Sequence, residues 1–364
     1  MTSKERVYRT LDFETPDRIP VDLWILPAAE AFHGEALQEL LSERGTDFIK
    51  APFHDPTADA QMYDEGVHTD IWGSVWHSRK AGMAGEVKGY PLEDDEAFRD
   101  YRSPLHVLED VKESDFYRGV DEYLGEHADM FVHSGWMSLF ERMQFLRGTE
   151  NLFMDIALET DEFFKLRDMV LAYWLRYTDL VCAIPGADAC TIGDDWGSQK
   201  AMLISPAAWR KLFKPAYKQL IDRIHQHGKR AFIHSDGYIL DIYEDWIELG
   251  ADAINSQIWC MGPEKVAQIV KGRITCWGEL SRQTVLPFGT PEDIQQQADE
   301  MKRLFYQNGG LIGQCETGYD VPLANIRAAL NAWWQGRAIP ASRQGIHRAL
   351  EEMNVPSTHA LLEV

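Results

Sequence analysis

Positive charge is scarce in this chain: 36 Lys and Arg stand against 58 Asp and Glu in 364 residues, a formal charge of −22. A surface of that sign repels phosphate backbones and anionic lipid, which argues against nucleic-acid and membrane partners. Long apolar runs are missing as well. Nothing approaches ~18 uninterrupted apolar residues, and the opening MTSKERVYRTLDFETPDRIP has no apolar core of signal-peptide length, so a cytoplasmic protein is expected. The five cysteines, Cys182, Cys190, Cys260, Cys276 and Cys315, are odd in number and form no CxxC pair. That excludes a secreted disulfide framework and leaves thiolate or ligand roles for any functional cysteine. Neither GxGxxG nor GxxxxGKS occurs, which removes the usual nucleotide loops.

What the chain does contain is a series of short buried runs that end in polar residues. The runs are VDLWIL (21–26), DFIKAPF (47–53), DMFVHSGW (129–136), DACTIGDDW (188–196), RAFIHSDG (230–237), ADAINSQ (251–257), RITCWGE (273–279) and GLIGQCE (310–316). Segments with apolar residues at helical spacing separate most of them, as in SPAAWRKLFKPAYKQLIDRIHQHG, with Ser205-Pro206 as a start signal and Gly228 as a stop. Eight strands alternating with helices favour an α/β (β/α)8 barrel over an open doubly wound sheet. Residues 1–364 then form one barrel domain. It carries an N-terminal helical extension near 5–13, a β-hairpin insertion at 56–104 after the second strand, and a peripheral C-terminal tail at 336–364. The insertion is placed to cover an active site, although its Trp72, Trp76 and Tyr90 equally suit the hairpin's own packing.

Barrel active sites gather at the carboxyl ends of the strands. There His234 and Asp236 lie two residues apart, so an extended strand sends both side chains the same way. Asp194 and Asp195 end the fourth strand; being adjacent, only one can face inward, as a general acid or base or to position a cationic substrate group, and a helix cap or a salt bridge on the rim is the alternative. Gln257 and Glu279, at the tips of the sixth and seventh strands, are candidate substrate contacts, followed by His54, Trp136 and Tyr319.

Several stretches are similar to one superfamily: KERVYRTLDFETPDRIPVDLW, DIWGSVW, IGDDWGSQKAMLISPAAWRKLFKPAYKQLI, HSDG running into ELGADAINSQ, and GQCETGYDVPLANIRAAL. Together they resemble the uroporphyrinogen decarboxylase superfamily, and its cobalamin-linked methyltransferase branch more than the decarboxylase itself. Decarboxylases of that family carry an arginine-rich early segment that grips substrate carboxylates; here LWILPAAEAFHGEAL contains no arginine. The methyltransferases hold zinc through a His-x-Cys pair and a distal cysteine. The resemblance therefore implies His234, Asp236 (in place of the first cysteine) and Cys315 as metal ligands. It also implies methyl transfer between a small methylated substrate and a thiol or a corrinoid carried by a separate protein. Decarboxylation or lyase chemistry on a carboxylated molecule, and a barrel that binds without turnover, are the alternatives.

Overall fold

The structure is a computed structural model that describes residues 1–59 and 61–334; the tail expected at 336–364 lies outside the described residues. The eight expected strands are all present: β1 (Val21–Ile25), β2 (Phe48–Lys50), then, after an insertion, β6 (Phe131–Met137), β7 (Ala189–Gly193), β8 (Arg230–Ser235), β9 (Ala253–Ser256), β10 (Thr275–Glu279) and β11 (Leu311–Thr317). They form one parallel sheet in the order β1-β11-β10-β9-β8-β7-β6-β2. The two end strands meet at their amino ends, where the Asp47 N–H donates to the Val21 carbonyl at 2.8 Å, so the sheet is a nearly closed (β/α)8 barrel. The Asp47 carboxylate staples that seam: it accepts from the Val21 N–H and from Arg6 and Arg18, all within 2.8 Å.

Alternate residues of each strand divide between two cores. Phe48, Phe131, Ala189, Phe232, Ala253, Trp277 and Ile312 fill the barrel's interior, together with Val7 and Leu11 of the N-terminal helix Ser3–Leu11. That helix begins in a capping box between Thr2 and Glu5 and closes the amino-terminal end of the barrel. Burying each phenylalanine there contributes roughly 1.5–3 kcal/mol. The intervening strand residues, such as Ile192, Ile233, Ile254 and Cys315, pack outward against the helices. The site is thereby left to the carboxyl-terminal end, where the apolar filling gives way to polar side chains.

The insertion corrects the expectation in one respect. It is a three-stranded antiparallel sheet, β3 (Gly66–Thr69), β4 (Val75–Ser78) and β5 (Glu86–Gly89), and not a simple hairpin. Its Trp72 and Trp76 are buried, packed on Tyr173 and Phe145, while the Trp76 indole donates to Asp70 at 3.0 Å. Among the described residues no helix is long and apolar enough to cross a membrane.

Candidate functional site

The loops after β7 and β8 cross backbone against backbone. The Gly197 N–H donates to the Asp236 carbonyl (3.2 Å) and the Tyr238 N–H to Ser198 (2.7 Å). A Cβ on Gly237, whose φ is +75°, would lie 2.1 Å from the Gly197 carbonyl oxygen; only glycine permits this crossing. The crossing sets Asp195 beside Asp236, and the Asp236 N–H donates to the Asp195 carboxylate at 2.8 Å. His234, two residues before Asp236, completes a group whose ligand atoms all lie within 4.8 Å of one another.

The tautomer of His234 follows from its neighbour. The Asn255 amide nitrogen donates to the Trp277 carbonyl at 2.7 Å, so the amide oxygen must accept from His234 Nδ1, also at 2.7 Å. The neutral ring then presents the Nε2 lone pair to Asp195 and Asp236, with oxygens at 3.7 Å from each. Three acceptors facing one another repel unless a cation, a metal ion or a proton on Nε2, lies among them. Separations of 3.7 Å are too long for hydrogen bonds, yet close to the ~3.4 Å spacing that bonds of about 2.0–2.1 Å to one tetrahedral ion produce. The donor set fits a borderline divalent metal, and the Asn255 contact is the kind that fixes a ligating imidazole.

Carboxylates surround this group. Arg282 pairs with the second oxygen of Asp236 and, at 2.5 Å, with Glu316, which leaves Asp236 Oδ1 turned toward His234. Burial, aided by the neighbouring Asp236, pushes Asp195 above the usual carboxylate range. Burial also raises Glu279 well above it, with Asp236 and Glu316 adding to the shift and Arg282 opposing it. Glu141, in the first turn of the helix Leu139–Arg147, is pushed up to about 8 by burial and by Asp195 and Asp194. Ser138 Oγ lies 2.9 Å from Glu141 and 3.0 Å from Asp194. With only one proton to donate, it satisfies both contacts when Glu141 itself carries a proton and donates to it. Trp24 and Trp136 pack on His234 with ring centroids 5.3 Å away, and Trp136 keeps 43% of its surface exposed at the mouth.

A uroporphyrinogen decarboxylase (URO-D) profile matches residues 130–334, more than half of the chain, and covers β6 to β11 with every residue of the metal-type group. The chain belongs to the uroporphyrinogen decarboxylase family. No curated protein matches it. Among solved structures, a methyltransferase from Methanosarcina mazei superposes with a TM-score of 0.64 at 16% identity, over 91% of this chain and 98% of that one. An endo-1,4-beta-xylanase from Caldicellulosiruptor owensensis (8% identity, 90% and 99% coverage, TM-score 0.42) and a D-psicose 3-epimerase (10%, 68% and 82%, 0.37) follow at lower similarity. At such identities the likeness speaks for the fold alone.

Within this URO-D barrel, the residues expected from sequence are divided. His234, Asp236, Asp195 and Trp136 come together. Cys315 does not: it is buried in the outer core, because Ile312 faces the interior and Cys315, three residues on, has the opposite parity. The third member of the group beside His234 and Asp236 is Asp195, not the distal cysteine. Asp194 is a helix cap. It accepts from the Leu139 and Glu141 N–H groups at 2.8 and 2.9 Å and from the Tyr217 hydroxyl at 2.7 Å. Gln257 steadies the loops, accepting from the Gly237 N–H and from Gln199. Tyr319 stands on the rim with the Lys80 ammonium of the insertion 5.0 Å from its ring, and His54 is exposed on the loop after β2.

Trp24, Glu141, Asn255, Arg282 and Glu316 were not singled out from sequence. For Asn255 a signal existed, because it shares strand parity with Gln257 at the expected strand tip; for Glu316 the parity follows only from Ile312 meeting the interior core. Glu141 and Arg282 lie beyond strand ends, and nothing in the local pattern marks them.

Proposed function

We propose that this URO-D family member is a metal-assisted methyltransferase, with zinc as the first candidate ion held by Asp195, His234 and Asp236. The observation that carries the reading is the His234 lone pair turned toward two carboxylate oxygens. A bound zinc supplies Lewis acidity, stabilising charge that develops on the heteroatom losing its methyl group. The chain's own residues do the remainder. Asn255 holds the imidazole tautomer, Arg282 holds Asp236 with one oxygen free, Trp24 and Trp136 shield the group from water, and Glu141 stores a proton beside it. The substrate is a small methylated molecule, and the acceptor is a thiol or a corrinoid brought by a separate protein, in the cytoplasm.

Zinc titration of EDTA-stripped protein, followed by methyl transfer to free cob(I)alamin, tests this. One equivalent of zinc is expected to bind and to be lost in Asp195→Asn and His234→Ala, with activity falling in parallel. Failure of zinc, manganese and iron all to bind stoichiometrically overturns it. A second reading, carboxy-lyase chemistry, draws on Glu141 and Glu279, whose carboxyls burial pushes up; there, turnover would survive both metal removal and His234→Ala. A barrel that binds without turnover would show neither activity.

A further inference from the structure

Lys50 and His133 are Cα partners on β2 and β6. Phe48 and Phe131, two residues earlier on the same strands, belong to the interior core, so Lys50 and His133 also point into the barrel. Lys50, exposed at the end of β2, makes no salt bridge among the described residues, although its charge is felt by Asp22. His133 Nε2 is buried with no hydrogen-bond partner. The buried Thr191 hydroxyl lies 3.3 Å from His133 Nδ1, a contact that either ring tautomer can make. A ring nitrogen without a partner is therefore held inside the barrel, between the stacked face of Trp277 (5.4 Å, 13°) and the edge of Phe232 (4.7 Å, 88°). Burial, with Lys50 adding to it, keeps the imidazole neutral by lowering its pKa to about 3. The nearby Asp22 carboxylate accepts both the Trp24 and Trp277 indole N–H groups at 2.9 Å on one oxygen, Oδ2.

A buried polar atom without a partner costs the fold stability, and a ligand that supplies the missing atom is one way to recover that cost. We infer that Lys50 and His133 form a subsite for the carboxylate of a small substrate. One oxygen sits on the Lys50 ammonium and the other on His133 Nε2–H. Two donors, one charged and one neutral, match the two oxygens and single charge of a carboxylate. Phe232, which touches His133, precedes His234 by two residues, or ~6.6 Å of strand rise. The rest of the molecule runs up that distance past Trp277 and Trp24 to the Asp195–His234–Asp236 group. The substrate is thus a short acid whose methylated end lies opposite its carboxylate. This rests on the reading of the upper group as the reacting centre; the subsite itself does not.

The test uses EDTA-stripped full-length protein and two probes of nearly equal shape, methoxyacetate and neutral 2-methoxyacetamide, in isothermal titration calorimetry. Methoxyacetate is expected to bind at least about tenfold more tightly, as befits a charge-assisted pair. Lys50→Met should erase that preference, and His133→Phe, which keeps the aromatic stack, should weaken methoxyacetate alone. His133→Gln serves if the phenylalanine variant does not fold. Equal affinities, no binding of either probe, or a preference that survives in Lys50→Met overturns the inference. Because metal is absent throughout, a protein that binds methoxyacetate but no zinc retires the proposed chemistry and keeps the subsite.

Discussion

Asn255 tests the metal reading without touching any of the three ligands. Its side chain is almost wholly buried, accepting from His234 Nδ1 and donating to the Trp277 carbonyl, both at 2.7 Å. Asn255→Ala frees the imidazole to change tautomer and rotate, and partners of this kind are typically worth ~10–100-fold in metal affinity. That range corresponds to about 1.4–2.8 kcal/mol of binding. The fold also loses a buried donor–acceptor pair, at a cost of about 1–3 kcal/mol for each group left unpaired. Two measurements separate these effects: competition of zinc against a chromogenic chelator, and the urea midpoint of the metal-free protein. Asn255→Asp restores the acceptor for Nδ1 but not the donor to Trp277, so it should recover zinc affinity to within about threefold while remaining destabilised. If Asn255→Ala binds zinc as the parent does, or if Asn255→Asp fails to rescue it, the imidazole is not the ligand argued for here.

Cys315→Ser is expected to leave zinc stoichiometry intact and to lower stability by about 1–3 kcal/mol, since it puts a hydroxyl among apolar neighbours; loss of metal in this variant would refute the outward assignment. Gly237→Ala forces a Cβ into the Gly197 backbone at a positive φ and should cost at least about 1–2 kcal/mol as well as metal affinity, read by urea denaturation and the same chelator assay. Asp22 is raised to about 6 by burial, against an ordinary value near ~4. Its folded form therefore resists ionisation, and a penalty of up to about 3 kcal/mol accumulates as pH rises from ~4 to ~6 and persists above. Asp22→Asn keeps an oxygen for both indole N–H groups, so it should raise the melting temperature at pH 7.5 and leave it nearly unchanged at pH 4; equal shifts at both pH values would rule out the buried charge as the cause.

The barrel was legible because its strands are short buried runs with polar ends, and the helices between them carry apolar residues at helical spacing. Each expected strand lies within two or three residues of the observed one, from Val21–Ile25 through Leu311–Thr317. His234 and Asp236 were equally legible, because their two-residue spacing needs only an extended backbone to be meaningful. The third strand of the insertion was not: Glu86–Gly89 is short and half exposed, and its pairing with β4 breaks register between Val75 and Trp76.

Cys315 shows where a strand's own sequence stops being informative. In a parallel barrel both faces of a strand are buried, so LIGQCET has no polar–apolar alternation to say which residues face the axis. The parity is fixed elsewhere, by Ile312 meeting the interior core, by the Trp333 ring lying so close behind Gly313 that a Cβ there would stand 2.4 Å from it, and by Glu316 reaching Arg282. With Gln314 and Glu316 inward, the sulfur between them must point out, and no adjustment of side-chain rotamer brings it back across the sheet. A ligand set that loses its β11 member needs a replacement from another strand end. In the proposed metal site Asp195 supplies it, because the Gly197–Gly237 crossing carries the loop after β7 directly over the loop after β8. The exchange removes thiolate from the proposed site and leaves one imidazole and two carboxylates, a harder set that donates less charge to the ion than thiolate would. Methyl transfer from an oxygen or nitrogen donor, whose leaving heteroatom is itself hard, suits that set better than activation of a soft thiol does.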